Sequence, residues 1–263
     1  MSLGITIMVE EGLVIAAESL GTLLKEEVKT ITGNCKCGHK GVPAMACPKC
    51  KAALGPLPPV LQKIPTSHTH YCQKLFKIND LAGMILVGSP YFDGKKIQQC
   101  VYGFIEWLAE NKKHKDDVED MVKNWNRYVD ATNLLKGKKD RSEIMFAGLK
   151  LKGGIIPFSQ TVVFDKTSIS VLSPSSYGIA VIGVHEILDK MFEGGGIHQY
   201  AVKDFPLQDA VEFAEFLMQT QIGVDKYTNR FPRVGGDIDI AVIHPVYGFK
   251  WVKQKSLQKL LES

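Results

Sequence analysis

Gly4-Ile5-Thr6-Ile7-Met8-Val9, then Glu10-Glu11-Gly12, then Leu13-Val14-Ile15-Ala16-Ala17-Glu18-Ser19: these residues decide how the chain is read. Two short β-type runs flank an acidic-acidic-glycine turn, the pattern of a β-hairpin. The hairpin starts almost at residue 1. Chain termini usually fray, so an apolar strand in that place implies that the first residues are held inside a sheet.

Outward from the hairpin, Leu20 to Thr32 reads as a polar connection or an irregular strand. Residues 33–70 are the compositional outlier, with four cysteines, three histidines and a Pro-rich exit at Gly55-Pro56-Leu57-Pro58-Pro59. They lack periodicity and read as a module inserted into a single domain of residues 1–263. Met84 to Gly88 is then a buried strand. Asp93 to Asn111 is an amphipathic helix with Ile97, Val101, Phe104, Ile105 and Leu108 on one face. A second helix spans Asp117 to Thr132, opening on acids that suit its positive end.

Strands follow at Glu143–Leu151, Thr161–Asp165, Ser168–Leu172 and Gly178–Gly183, then helices at His185–Phe192 and from Leu207 to about Asp225. Asp237–His244 and Tyr247–Lys253 are the last strands, before a short C-terminal helix. Strands, two helices, strands, two helices, strands: such blocks argue for α+β layers with antiparallel sheets rather than alternating βαβ units.

Composition narrows the function. The chain of 263 residues can bury a sizeable core. Its net charge of +4 is spread along the sequence, so no nucleic-acid partner is expected. No apolar run approaches the roughly 20 residues that span a bilayer, and the opening strand lacks the basic start and cleavage site of a secretory leader. No membrane partner is expected, and a cytoplasmic location is. Four of the six cysteines crowd into one segment, which favours metal over disulfides in a reducing compartment.

The block order and several local strings resemble the proteasome-subunit family of N-terminal-nucleophile (Ntn) hydrolases. Gly12-Leu13-Val14-Ile15-Ala16-Ala17-Glu18-Ser19 is similar to that family's G-V-V-L-A-A-D-S opening. Lys74-Leu75-Phe76-Lys77-Ile78, leading to Val87-Gly88 and Asp93, resembles its D-K-I…G…D segment. Gly235-Gly236-Asp237-Ile238-Asp239-Ile240-Ala241-Val242-Ile243 resembles its S-G-G-x-V-x-V-x-V-I strand. The likeness covers nearly all of the chain except residues 33–70. It implies a four-layer αββα sandwich and assembly into a ring or other oligomer, with further copies or partner subunits.

The resemblance also implies a site. The family's peptidases use an N-terminal threonine, an acid near the end of the second strand and a lysine that eases proton loss from the nucleophile. Matched by position, these are Ser2, Glu18 and Lys74. Removal of Met1 would leave Ser2 with a hydroxyl and an amine together. The chain departs from the family elsewhere. The string T-x-R-D-x-x-S-G-G reads Thr228-Asn229-Arg230-Phe231-Pro232-Arg233-Val234-Gly235-Gly236, with Phe231 in place of the aspartate and Val234 in place of the serine. Gly183-Val184-His185 stands for G-S-G. Two functions follow: a ring or scaffold subunit with degenerate or absent peptidase activity, and an active amide or peptide hydrolase using Ser2, Lys74 and Glu18.

Cys35-Lys36-Cys37-Gly38-His39 and Cys47-Pro48-Lys49-Cys50 give C-x-C…C-x-x-C. Thiolates at such spacing converge on one tetrahedral Zn²⁺, and Pro48 and Gly38 suit tight knuckle turns. His39 or His68 is an alternative ligand, because the first pair is tighter than usual. Cys35, Cys37, Cys47 and Cys50 are therefore expected to hold a structural zinc and present a surface to a protein partner. Cys72 and Cys100 read as core. His185 and His244 are candidates to flank a cleft, although helix starts and strand ends often carry histidine. Trp107 and Trp125 read as core or subunit contacts.

Overall fold

The computed structural model describes residues 2–29, 33–34, 40–41, 60–69, 72–89, 91–92, 95–113, 116–132, 134, 141–164, 169–173, 175–193, 202–227 and 232–255. It divides into two compact units, residues 1–21 with 69–263, and residues 22–68.

The larger unit is mixed α and β, with two antiparallel five-stranded sheets. The first sheet holds β1 (Leu3–Val9), β2 (Gly12–Glu18), β14 (Gly178–Gly183), β15 (Ile238–His244) and β16 (Gly248–Lys253), in the order β14-β1-β2-β15-β16. The second holds β7 (Leu75–Lys77), β8 (Ala82–Gly88), β11 (Ser142–Lys150), β12 (Ile156–Phe164) and β13 (Ile169–Val171), in the order β13-β12-β11-β8-β7. A small hairpin, β9 (Tyr91–Phe92) with β10 (Lys95–Lys96), precedes α1 (Ile97–Glu110) and α2 (Val118–Thr132). The remaining helices are α3 (Glu186–Glu193) and α4 (Leu207–Tyr227).

The opening hairpin forms the middle of its sheet. Val9 pairs with Gly12 across the Glu10-Glu11 turn. Gly12 has φ +150°, and a Cβ there would come 2.5 Å from the Ile243 carbonyl oxygen of neighbouring β15. Both faces of β1 and β2 are covered, so these strands read as continuous apolar runs. Leu3, Ile5, Ile7 and Val14 join α3 and α4 in one core cluster. Met8, Leu13 and Ile15 meet Ile85, Met145 and Leu149 of the second sheet in another. A third cluster packs α1 and α2 on the far side of that second sheet. There Phe104 meets Trp125 edge-on with ring centroids 5.0 Å apart. Each fully buried Leu, Ile, Val or Phe contributes about 1.5–3 kcal/mol.

Some boundaries differ from the sequence reading. Helix α1 starts at Ile97 rather than Asp93, because Lys95 and Lys96 just before it pair as a strand with Phe92 and Tyr91. Strand β12 starts at Ile156, upstream of Thr161, since Pro157 is accommodated opposite Leu149. At the start of α2, Asp117 Oδ1 accepts the Asp120 N–H at 3.2 Å.

In the smaller unit, β3 (Gly21–Lys29) pairs with β6 (Val60–Thr69), and β4 (Gly33–Asn34) with β5 (Lys40–Gly41). This unit begins at Thr22, before the boundary of 33 read from cysteine and proline content, because β3 belongs to its sheet. Cys35, Cys37, Cys47 and Cys50 lie outside the described residues, as do His39, Phe231 and the expected C-terminal helix.

Candidate functional site

Strand direction brings distant residues to one end of the first sheet. Strand β1 runs antiparallel to β2 and β14, so its start lies beside their ends. The start of β15 meets the end of β2, with Ile238 opposite Glu18. Ser2, Glu18, Gly183 and Gly235 therefore gather there, and Lys74 reaches them from the residue before β7.

Glu18 is the hub. It is 1% exposed, and its Oε1 accepts both the Leu3 N–H at 3.2 Å and the Lys74 ammonium. Its Oε2 accepts the Leu20 N–H at 2.6 Å and the Gly235 N–H at 3.2 Å. Four donors thus occupy the four lone-pair positions of the carboxylate. Lys74 donates a second hydrogen bond to the Leu20 carbonyl. Burial pushes the Glu18 carboxyl up, against the opposing pull of Lys74. Burial likewise pushes the Lys74 ammonium down, against the opposing pull of Glu18. In water the pair would be fixed as ions; here desolvation lowers the cost of moving a proton between neutral and charged forms.

Ser2 adjoins this hub and is itself buried. Its carbonyl accepts the Val184 N–H at 2.8 Å. Gly183, at φ +87°, permits that approach, because a Cβ there would stand 2.0 Å from the Ser2 carbonyl oxygen. The link from Ser2 to Lys74 runs through Glu18, whose Oε1 takes the amide that follows Ser2 and the ammonium together. The three residues matched from the sequence are thus brought into one cluster.

The string around Gly235 is anchored differently. Val234 is 1% exposed and packs into the apolar cluster beneath α3 and α4. Arg233 forms a bidentate pair with Glu186, both distances 2.7 Å. Its Nε and backbone N–H both reach the buried Asp225 carboxylate, the Nε at 3.1 Å. This network holds the segment that delivers the Gly235 N–H to Glu18. Sequence reasoning missed Asp225 and Arg233, and also a buried Asp239–Lys255 pair. None has a local motif, because each pair closes across separate elements.

His185 lines a cavity of about 380 Å³ together with Arg141, Glu143, Thr161 and Val181. Its Nδ1 lies 2.8 Å from the Asp189 carboxylate. Glu143 Oε2 accepts the Gly183 N–H at 3.2 Å, which ties the cavity wall to the Ser2 anchor. His244 is not among the residues lining this cavity; its Nδ1 accepts the Val246 N–H in the turn before β16. Trp125 is core, whereas Trp107 is partly buried and stacks on Phe104.

Among the described residues, no three His, Cys, Asp or Glu side chains gather as a metal site requires. No described helix is long and apolar enough to cross a membrane. Compared by sequence, no family model and no curated protein matches the chain.

Proposed function

We propose that this chain is a proteasome-subunit-like protein of the Ntn-hydrolase class, an αββα body that serves as one subunit of a ring or other oligomer, with degenerate or absent peptidase activity. The observation that carries this reading is Val234. Where the resembled family has a serine, this chain has a side chain packed in the apolar core. A valine neither donates nor accepts a hydrogen bond, so it cannot help orient an amine at Ser2 for proton transfer. Two antiparallel sheets with separate helical core clusters support the αββα assignment.

The same proposal places a structural Zn²⁺ on Cys35, Cys37, Cys47 and Cys50, on the strength of their spacing. Four thiolates close the coordination sphere, leaving a folding element that would offer a surface to a protein partner. Cysteines used for metal rather than disulfides suit a reducing cytoplasm.

A second reading, an active amide or peptide hydrolase, is favoured by the shared Glu18 oxygen that joins Lys74 to the Ser2 segment. With Met1 removed, the Ser2 hydroxyl would attack the substrate carbonyl, and the terminal amine would take its proton. The terminal amine would give that proton to the leaving amine as the C–N bond breaks, and water would then release the acyl group from Ser2. Lys74 would stabilise the forming alkoxide, oriented by Glu18.

One experiment separates the two. Intact mass first establishes that Ser2 carries the free amine. Hydrolysis of a fluorogenic peptide panel is then compared with the Ser2→Ala variant, and particle mass is measured by light scattering. Equal rates and a particle of several chains are expected. Ser2-dependent turnover would replace the first reading by the second, and a monomer would remove its assembly.

A further inference from the structure

Beside the Glu18–Lys74 pair stands a second buried ion pair with no part in the reading above. Asp239 lies on β15 opposite Ala17, one residue beyond the partner of Glu18. Its Oδ1 accepts the Lys255 backbone N–H at 2.8 Å and its Oδ2 accepts the Lys255 ammonium at 2.7 Å. Both oxygens therefore grip one residue just past the end of β16. That ammonium also donates to the Cys72 carbonyl at 2.7 Å. The Cys72 N–H in turn bonds the Ser19 carbonyl at 3.0 Å. Lys255 thus holds the short segment that leads into Lys74, and that segment is tied to the residue after Glu18.

The geometry points to Lys255 as a positioning residue for Lys74: gripped by Asp239, its ammonium fixes the Cys72 carbonyl and so holds a second positive charge at the start of the short segment that carries Lys74. A pair this buried is poor cement, since well-packed apolar side chains of similar volume stabilise a core as well or better. Apolar side chains cannot supply charge. Burial chiefly disfavours the protonated form of Lys74 and the Lys255 charge adds to it, whereas Glu18 favours that form. Among the described residues, Glu18 on β2, Cys72 on the segment before β7, and Lys255 after β16 with Asp239 behind it are ionisable groups around Lys74. Lys255 therefore makes Lys74 a readier proton acceptor than Glu18 alone would allow.

This inference rests on reading Lys74 as the tuned group of an Ntn-type site, but its test needs no substrate. The Lys74 side chain, ¹³C-labelled at Cε and assigned with Lys74→Arg, is titrated by NMR in the full chain. Wild type is compared with Lys255→Met, Lys255→Arg and the double variant Asp239→Asn/Lys255→Met, which leaves no unpaired buried charge. Lys255→Met is expected to raise the Lys74 midpoint. The double variant raises it by less, and Lys255→Arg keeps the wild-type value. An unchanged midpoint in the double variant overturns the proposal. So does a shift in Lys255→Arg equal to that in Lys255→Met, or a wild-type Lys74 that titrates in the ordinary lysine range. Ser2-dependent hydrolysis or its absence changes none of these readings, so failure of the functional proposal is distinguishable from failure of this one.

Discussion

Glu18 with Lys74, and Asp120 with Lys123 and Lys152, are built from the same chemical groups and behave in opposite ways. In the first pair both side chains are at most 8% exposed. In the second set the Lys123 and Lys152 side chains are 54% and 66% exposed. Burial raises Glu18 and lowers Lys74 even though each attracts the other. Asp120 is lowered, chiefly by its hydrogen bond from Lys152, and Lys152 is raised, chiefly by the same bond. Water decides between the two outcomes. A solvated pair is locked in its ionic form, while a desolvated pair sits nearer to proton exchange. The direction in which proton affinities move is thus set by strand ends that exclude solvent, and the attraction of opposite charges comes second.

The hardest blow to that contrast is Lys74→Met. It leaves Glu18 buried and without its cation, and it strips a donor from the Leu20 carbonyl. Breaking a buried pair from one side costs about 3–5 kcal/mol. Urea denaturation of the variant is expected to report a loss of that size at an unchanged m-value. A loss below about 1 kcal/mol, the range of exposed pairs, would mean that the two regions do not differ.

Titration of the carboxylates sharpens the contrast further. By ¹³C-carboxyl NMR, Glu18 is expected to titrate above the ordinary glutamate value and Asp120 below the ordinary aspartate value. The consequences for stability have opposite signs. Between the ordinary glutamate value and the higher folded one, folded Glu18 keeps a proton that the unfolded chain has released, so its contribution falls as pH rises. Asp120 contributes above the ordinary aspartate value and loses that contribution as pH falls through its lower folded value. Lys74 adds a rise in stability between its lowered folded value and the ordinary lysine value. Shifts of Glu18 and Asp120 on the same side of their ordinary values would break the comparison.

How much of this was legible beforehand depends on whether a residue's reason is local. The β1–β2 hairpin was readable because an apolar run of that length, closed by Gly12, has few other uses. Glu18 and Lys74 were named through the resemblance, and nothing in their own neighbourhoods marks them as partners across 56 residues. Asp239 was hidden among the apolar residues of β15, and its partner Lys255 lies 16 residues on, after a further strand. Asp225 entered the sequence reading only as the approximate end of a helix, and its partner Arg233 folds back on it from beyond that helix. The strand expected from Thr161 begins at Ile156 instead, because Ile156 to Gln160 pair with Lys150 to Phe146 of β11, a partnership with no local signal. Polar pairs closed by tertiary structure leave no period in a sequence; apolar faces do.

The smallest expected effect belongs to Lys152→Ala. Removing that side chain leaves Asp120 within reach of water and of Lys123, which lies 3.2 Å away. The ammonium it loses was solvated already, so unfolding exposes nothing that folding had hidden. The urea midpoint is expected to stay where it is in wild type. Any residue of an effect should vanish in about 1 M salt, where the Debye length shrinks to roughly 3 Å. The loss in Lys74→Met should persist in the same salt, since mobile ions do not enter the space between Glu18 and Leu20. A salt-sensitive loss at Lys74, or a salt-resistant one at Lys152, would reverse the assignment of which pair the fold has taken out of water.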